Sequence, residues 1–193
     1  MALGLLMILS ALTLILSNLR QEHIAMEAAA DAEQEVSFII EQRQTRPTEI
    51  RSSNPLLVPP KVLPVEEIDG YPYIGTLSIP VLELDLPIMD DWSYPRLRRA
   101  PCRQSGDTAL DLVVAGHNYQ SHFGRLSTLN PGDLLLFTDM DGDVTTYEVE
   151  TVETIRPTDT ELVFSDRWNL ALYTCTYGGR SRIMVGCVSQ KPV

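Results

Sequence analysis

The chain has 193 residues, three cysteines and a formal net charge of −11 at pH 7. The acidic excess is spread along it, with −5 on residues 1–69 (5 basic, 10 acidic) and −6 on residues 70–193 (10 basic, 16 acidic). Nucleic-acid binding needs a basic face that neutralises phosphates, and the one basic cluster is short and lies beside Asp90 and Asp91. We therefore expect no nucleic-acid partner. The cluster, expected to be a solvated surface loop, consists of Arg96, Arg98, Arg99 and Arg103.

The first 69 residues divide by composition into three segments. Residues 1–19 are uncharged and mostly apolar, and at ~1.5 Å per helical residue they nearly span a hydrocarbon core of ~30 Å, so they predict a transmembrane anchor. A cleaved signal is the alternative, but the polar run from Arg20 to His23 separates the small residues at 28–30 from the apolar block. Residues 20–44, rich in Glu, Ala and Gln, predict a helical stalk. Residues 45–69 contain five prolines and predict a semi-rigid linker.

Residues 70–193 predict one all-β domain with short helices. Candidate strands lie at 73–79, 82–88, 110–115, 134–138, 144–156, 169–174 and 182–188. This spacing is typical of an antiparallel barrel or sandwich. Asp141-Gly142 predicts a hairpin turn, and one short helix is expected over Ser121–Leu129.

The hairpin also has the spacing of a calcium-binding loop, formed by Asp139, Asp141, Asp143 and Glu150. Val144 stands where that loop requires glycine, and the flanking segments resemble strands instead of helices. We therefore expect an acidic hairpin tip and no metal site.

Three kinds of side chain could provide the chemistry. Cys175 ends an apolar strand, His117 follows the strand Leu112–Ala115, and two arginines of the same strand parity, Arg180 and Arg182, stand at the start of the last apolar strand. A thiol, an imidazole and a guanidinium are the groups needed to attack a carbonyl, move its protons and hold the resulting oxyanion. The alternative for Cys175 is a packed structural thiol, because unoxidised cysteine behaves as a small hydrophobe.

At these residues the sequence resembles the sortases, the cysteine transpeptidases of Gram-positive bacteria. The resemblance runs from about Gly70 to Cys187, and 73–80 (Tyr-Ile-Gly-Thr-Leu-Ser-Ile-Pro) is similar to the family's opening strand. Residues 172–175 (Leu-Tyr-Thr-Cys) match the family signature Thr-Leu-x-Thr-Cys, except that Ala171 replaces the first threonine. The resemblance implies a closed β-barrel in which Cys175, His117 and Arg182 are the catalytic residues.

The resemblance also implies the partners. Cys175 would attack the Thr-Gly carbonyl of an LPXTG-like sorting signal on a surface protein, and the acyl group would pass to an amine of a peptidoglycan precursor or to a pilin lysine. No cofactor would be required, and the catalytic domain would face outward from a single-pass membrane anchor. The absence of a second membrane-length apolar run after Cys187 favours cell-wall anchoring over pilus assembly.

Two functions of other classes remain as alternatives. An NlpC-type or papain-like cysteine hydrolase places its cysteine before its histidine, whereas here His117 precedes Cys175. A tethered β-barrel binding module would bury Cys175 as a packed side chain.

The roles of several further residues remain open. Asn118, Thr174 and Arg180 are candidate substrate-binding residues, and His122 competes with His117 for the role of proton carrier. Cys102 and Cys187 would pair in an oxidising exterior only if the geometry allowed it.

Overall fold

The computed structural model describes residues 2–45 and 61–190. Most of the predicted linker, residues 46–60 of 45–69, lies outside the described residues. Within them, the chain forms one long helix and a β-barrel against which the second half of that helix packs.

The helix, α1 (Ala2–Gln44), includes both the apolar N-terminal segment and the segment predicted as a stalk. It contains no proline and is rich in Ala, Leu and Glu, which have high helix propensity. By length and composition, the part of this helix from Leu3 to Gln44 contains a segment that is apolar enough to cross a membrane. Its apolar first half is exposed, whereas in its second half buried residues recur every three or four positions and face the barrel. These are Ala25, Ala29, Ala32, Val36 and Ile40.

The other described residues form nine strands, two short α-helices and two short 3₁₀ helices, Pro80–Leu82 and Leu126–Thr128. The strands are β1 (Glu66–Ile68), β2 (Tyr71–Ile79), β3 (Leu84–Met89), β4 (Cys102–Ser105), β5 (Leu112–Gly116), β6 (Leu134–Asp139), β7 (Val144–Ile155), β8 (Leu170–Cys175) and β9 (Arg182–Ser189). The helices are α2 (Tyr94–Leu97) and α3 (Thr160–Val163). Eight strands form a closed ring in the order β2-β3-β4-β5-β8-β9-β7-β6, with β6 pairing back onto β2, and β1 extends β2 as a hairpin. This confirms the predicted all-β closed barrel with short helices.

The barrel interior is filled by one large apolar cluster. Alternate residues of the strands point inward, and Ile74, Leu77 and Phe137 are completely or almost completely buried there. Inward-facing Leu170 and Leu172 of β8 belong to the same cluster, so the side chains between them point out of the barrel. This alternation places Ala171, Tyr173 and Cys175 on the outer face of β8.

The structure corrects several details of the predicted elements. The prediction missed β1 and β4, because three residues are too few for a pattern and because Cys-Arg-Gln-Ser in β4 has no apolar alternation. The expectation of an antiparallel sheet was wrong for two pairs, β3–β4 and β5–β8, which are parallel because long connections return the chain in the same direction.

The helix expected over Ser121–Leu129 was also wrong. The segment forms turns and then a short 3₁₀ helix, Leu126–Thr128. Gly124 lies so close to the chain that a Cβ there would be 2.6 Å from the Asn118 carbonyl oxygen and 2.7 Å from that of Tyr119. The chain therefore folds back on itself, which is incompatible with a helix.

At the acidic hairpin, the side chain of Lys61 lies among the carboxylates. Its Nζ is 3.0, 2.8 and 2.6 Å from carboxylate oxygens of Asp139, Asp141 and Asp143. Glu150 is not part of this group and instead lies 3.6 Å from the Arg167 guanidinium. The carboxylates thus surround an ammonium group, and the resulting ion pairs attach the start of the second described range to the β6–β7 hairpin.

The three cysteines are free. Cys102 and Cys187 are buried in different apolar clusters, so they do not form the disulfide that remained open.

Candidate active site

Three adjacent strands bring the predicted catalytic residues together at one end of the barrel. Strands β5 and β8 run parallel with Gly116 opposite Thr174, so Cys175, the last residue of β8, lies beside His117, the first residue after β5. Strand β9 runs antiparallel to β8, and Arg182 is directly opposite Cys175. Since neighbouring strands are about 4.8 Å apart, the Cα atoms of the three residues span roughly 10 Å.

Cys175 is the accessible thiol of this site. Its residue is exposed, whereas Cys102 and Cys187 are completely buried. Burial raises the pKa of the thiols of Cys102 and Cys187 to about 12. Of the three sulfur atoms, Cys175 Sγ is thus the one that a polypeptide can approach.

Arg182 is anchored by the loop that separates Cys175 from it. Its Nη1 donates hydrogen bonds to the carbonyl oxygens of Gly179 (3.1 Å) and Ser181 (3.0 Å). The loop needs left-handed backbone at Gly178 and Gly179, with φ of +81° and +70°, which glycine adopts without strain. Within the described residues, Nε and Nη2 of Arg182 make no hydrogen bond, so the guanidinium is fixed at one nitrogen and has donors left for a ligand.

His117 is half-buried and packs against an aromatic ring. Its imidazole centroid lies 4.8 Å from that of Tyr119, with 31° between the two planes. Burial, with a smaller contribution from the positive charge of Arg98, lowers the pKa of His117 below its usual value. The lowered pKa favours the neutral imidazole, which is the form that can accept a proton.

His122 lies behind Tyr119 and has no exposed surface. Its ring centroid is 5.5 Å from that of Tyr119, and neither ring nitrogen has a hydrogen-bond partner among the described residues. Burial, together with the nearby His117, lowers the pKa of His122 to about 4. A ring without access to solvent is poorly placed to exchange protons with a substrate, and it contacts His117 only indirectly, through the ring of Tyr119.

The other candidate residues surround the site at different depths. Thr174 is buried, and its Oγ1 makes no hydrogen bond within the described residues, because strand alternation directs it into the barrel. Asn118 is half-buried next to His117, and Arg180 is exposed in the loop after Cys175.

A depression of about 210 Å³ adjoins the site on the outer face of the barrel. Its floor includes Tyr173 and Arg182, and its wall is the β7–β8 connection, which contributes Val163 and Phe164. Tyr173 is held in place by its hydroxyl, which donates to Gln104 Oε1 at 2.9 Å. This wall was not predicted, and its signal in the sequence is the apolar pair Val163 and Phe164 inside a connection without strand periodicity.

The fold and this geometry define a closed β-barrel with an exposed thiol between an imidazole and a guanidinium on its rim. The model of the sortase domain matches residues 77–190, which is more than half of the chain. The chain therefore belongs to the sortase family. No curated protein sequence gives a significant match.

Solved sortase structures have the same fold at low sequence identity. Sortase C1 from Streptococcus suis is 22% identical, with a TM-score of 0.56 over 63% of this chain and 74% of that one. A sortase A lid mutant from Corynebacterium diphtheriae is 20% identical, with a TM-score of 0.55 over 86% and 97% of the two chains. A sortase D5 transpeptidase from Clostridium perfringens is 16% identical, with a TM-score of 0.59 over 88% and 99%.

Proposed function

We propose that this sortase is a membrane-anchored cysteine transpeptidase that cleaves an LPXTG-like sorting signal and transfers the acyl group to an amine of a cell-wall precursor. The observation that supports it most is the exposed Cys175, in register with Arg182 and beside His117. Residues 1–19 serve as the anchor, and the barrel domain faces the outside of the cell.

The first half-reaction begins with the thiol. Neutral His117 accepts the Cys175 proton while the sulfur forms a bond to the threonine carbonyl carbon. Arg182 donates its remaining N–H groups to the developing oxyanion. The C–N bond then breaks, the imidazolium gives its proton to the departing glycine amine, and a thioester on Cys175 remains.

The second half-reaction reverses the proton transfers. The acceptor amine attacks the thioester carbonyl and passes a proton to His117, the C–S bond breaks, and the proton returns to the Cys175 sulfur. Water in place of the amine gives slow hydrolysis.

The depression beside Arg182 suits the apolar residues that precede the scissile bond. It lies on the same outer face as Cys175, and Ile155, Val163 and Phe164 give it an apolar surface. A signal bound along Tyr173 would therefore present its carbonyl to the thiol with its apolar side chains removed from water.

The test is incubation of the full chain, in detergent micelles, with sorting-signal peptides and amine acceptors, with products identified by mass spectrometry. Transfer that is lost in Cys175→Ala and His117→Ala supports the proposal, and the choice of acceptor separates cell-wall anchoring from pilin polymerisation. Alkylation of Cys175 at neutral pH is an independent measurement, with buried Cys102 and Cys187 as internal references. If Cys175 is no more reactive than these two and no peptide is cleaved, the chain is a binding module and the proposal is wrong.

A further inference from the structure

The N-terminal helix contacts the loop that carries His117, in addition to covering the barrel wall. The Oε1 atom of Glu22, on α1, accepts a hydrogen bond from the backbone N–H of Gln120 at 2.8 Å. Gln120 follows His117 by three positions, and its own side chain reaches the loop after Cys175, with Nε2 3.4 Å from the Tyr177 hydroxyl. One residue of α1 is therefore connected to the loops on both sides of the thiol.

A second contact runs through packed rings. Ala25, one turn after Glu22, is 1% exposed, and its backbone lies beside the buried imidazole of His122. His122 packs on Tyr119, which in turn packs on His117. The helix thus supports His117 through a continuous row of three rings.

The loop between these contacts is tight enough to transmit a displacement. Within residues 117–124, the amide of Phe123 donates to the His117 carbonyl at 3.1 Å and the amide of Gly124 to the Tyr119 carbonyl at 2.8 Å. The Phe123 side chain is fully buried and fills the space next to Gly116, where a Cβ would be only 2.5 Å from its ring. Movement at residues 120–122 therefore moves His117, because close-packed groups cannot absorb it.

We propose that α1 is part of the framework of the active site and that Glu22 is a positioning residue, which holds the His117 loop in its reactive geometry from outside the barrel. This rests on the proposed function, in which His117 transfers protons at Cys175. Catalysis in this chain then depends on the docking of the anchor helix as well as on the barrel. Any partner or mutation that lifts residues 22–29 of α1 away from the barrel lowers turnover without touching the thiol.

The test compares Glu22→Ala with Glu22→Gln in the full chain in detergent micelles. Alanine removes the oxygen that binds the Gln120 amide, whereas glutamine keeps an acceptor at the same place. The matched control is Glu41→Ala, which removes the same charge from an exposed position on the same helix.

We expect Glu22→Ala to increase hydrogen–deuterium exchange in peptides covering 117–125, but not in those covering 134–155. We also expect it to lower kcat for acyl transfer about fivefold, as for the loss of one hydrogen bond of ordinary net strength, with KM changed less than twofold. Glu22→Gln and Glu41→Ala should behave like wild type. Equal exchange and equal kcat in Glu22→Ala and wild type would overturn the proposal, and so would an equal effect of Glu41→Ala.

A second variant tests the packed contact. Ala25→Leu places a larger side chain against His122 and should increase exchange in the same peptides, whereas Ala11→Leu, in the exposed apolar half, should not. Unchanged exchange in Ala25→Leu also counts against the proposal. A wild-type chain that transfers no acyl group refutes the proposed function, and the exchange measurements then still decide whether α1 holds the loop.

Discussion

Replacement of Gly116 by alanine should reduce the turnover of the folded protein as well as its stability. Gly116 is the last residue of β5 and precedes His117, and its backbone φ lies outside the left-handed region, so alanine is allowed there. A Cβ at this position would be 2.5, 2.7 and 3.0 Å from three atoms of the Phe123 ring. Carbon atoms in contact are normally about 3.5–4.0 Å apart, so the ring or the strand end must move by roughly 1 Å.

The magnitudes follow from that displacement. Overpacking of this kind costs about 1–3 kcal/mol in the free energy of unfolding. A misplacement of about 1 Å in a catalytic group can cost roughly 10²-fold in rate. We therefore expect the folded variant to lose between about tenfold and 10²-fold in kcat, with little change in KM, because the peptide groove lies on the other side of Arg182.

The assay is steady-state acyl transfer, measured beside thermal unfolding of the same preparation. Gly116→Ala combined with Phe123→Leu should recover part of kcat, because leucine leaves room for the new methyl group. The stability control is Leu77→Ala, a buried change on β2 that should cost about 2–5 kcal/mol yet leave kcat of the folded protein nearly unchanged. If Leu77→Ala lowers kcat as much as Gly116→Ala, or if the double variant recovers nothing, steric displacement of His117 is not the cause.

Three further predictions concern charged side chains. Arg182→Lys should lower kcat by about 10²–10³-fold, since the ammonium cannot both hold the loop and reach the oxyanion, and an equal loss in Arg180→Lys alone would reassign the role. Arg98→Ala removes the positive charge that helps to lower the pKa of His117, so this pKa should rise. The acidic limb of the pH profile of kcat/KM should then move to higher pH. The control is Arg96→Ala, which should leave the acidic limb in place because the Arg96 guanidinium is 3.0 Å from Asp91. An unmoved limb in Arg98→Ala contradicts this account. Lys61→Met should cost about 1 kcal/mol in unfolding free energy. Hydrogen bonding to Lys61 lowers the pKa of Asp141, so its stabilising contribution is present above the unfolded pKa of ~3.9 and is lost as pH falls through the folded value. When the unfolding free energy is measured against pH, it should therefore fall less steeply below about pH 4 in Lys61→Met than in the wild type. Parallel curves for the two proteins would exclude this contribution of Asp141.

Most strands of the barrel were predictable because they have strong local signals, whereas the choice of a closed barrel over a sandwich came from the family resemblance. Alternation in β2 and β6, and the Asp141-Gly142 turn between β6 and β7, are encoded within a few residues. The adjacency of Cys175 and Arg182 follows in the same way, because a short glycine-containing loop joins two strands. The adjacency of His117 does not, since β5 and β8 are separated by two intervening strands and pair in parallel. It was the family resemblance, and not local pattern, that placed His117 at the site.

Contacts between distant segments could not be predicted from the sequence. The aspartates of the hairpin suggest a cation, but only the fold shows that the nearby cation is Lys61, about eighty positions earlier. No pattern near Ser121 shows that the segment turns back on itself. The turn depends on the close approach of Gly124 to carbonyl groups earlier in the loop, which is a feature of the folded chain. That α1 is a helix can be predicted from its composition, whereas the surface of the barrel that it covers cannot.

The continuity of α1 also limits where the reaction takes place. If residues 1–19 are the anchor, as proposed, Glu22 lies about 4.5 Å further along the helix axis, and it is already bound to the His117 loop. The segment after the anchor lies along the barrel wall through Ala32, Val36 and Ile40, so it is not a free spacer. The thiol would then be held close to the bilayer surface, where both a membrane-retained sorting signal and a membrane-associated amine acceptor would be found. On this proposal, one uninterrupted helix would set the distance to the membrane and also support His117, the proposed proton carrier.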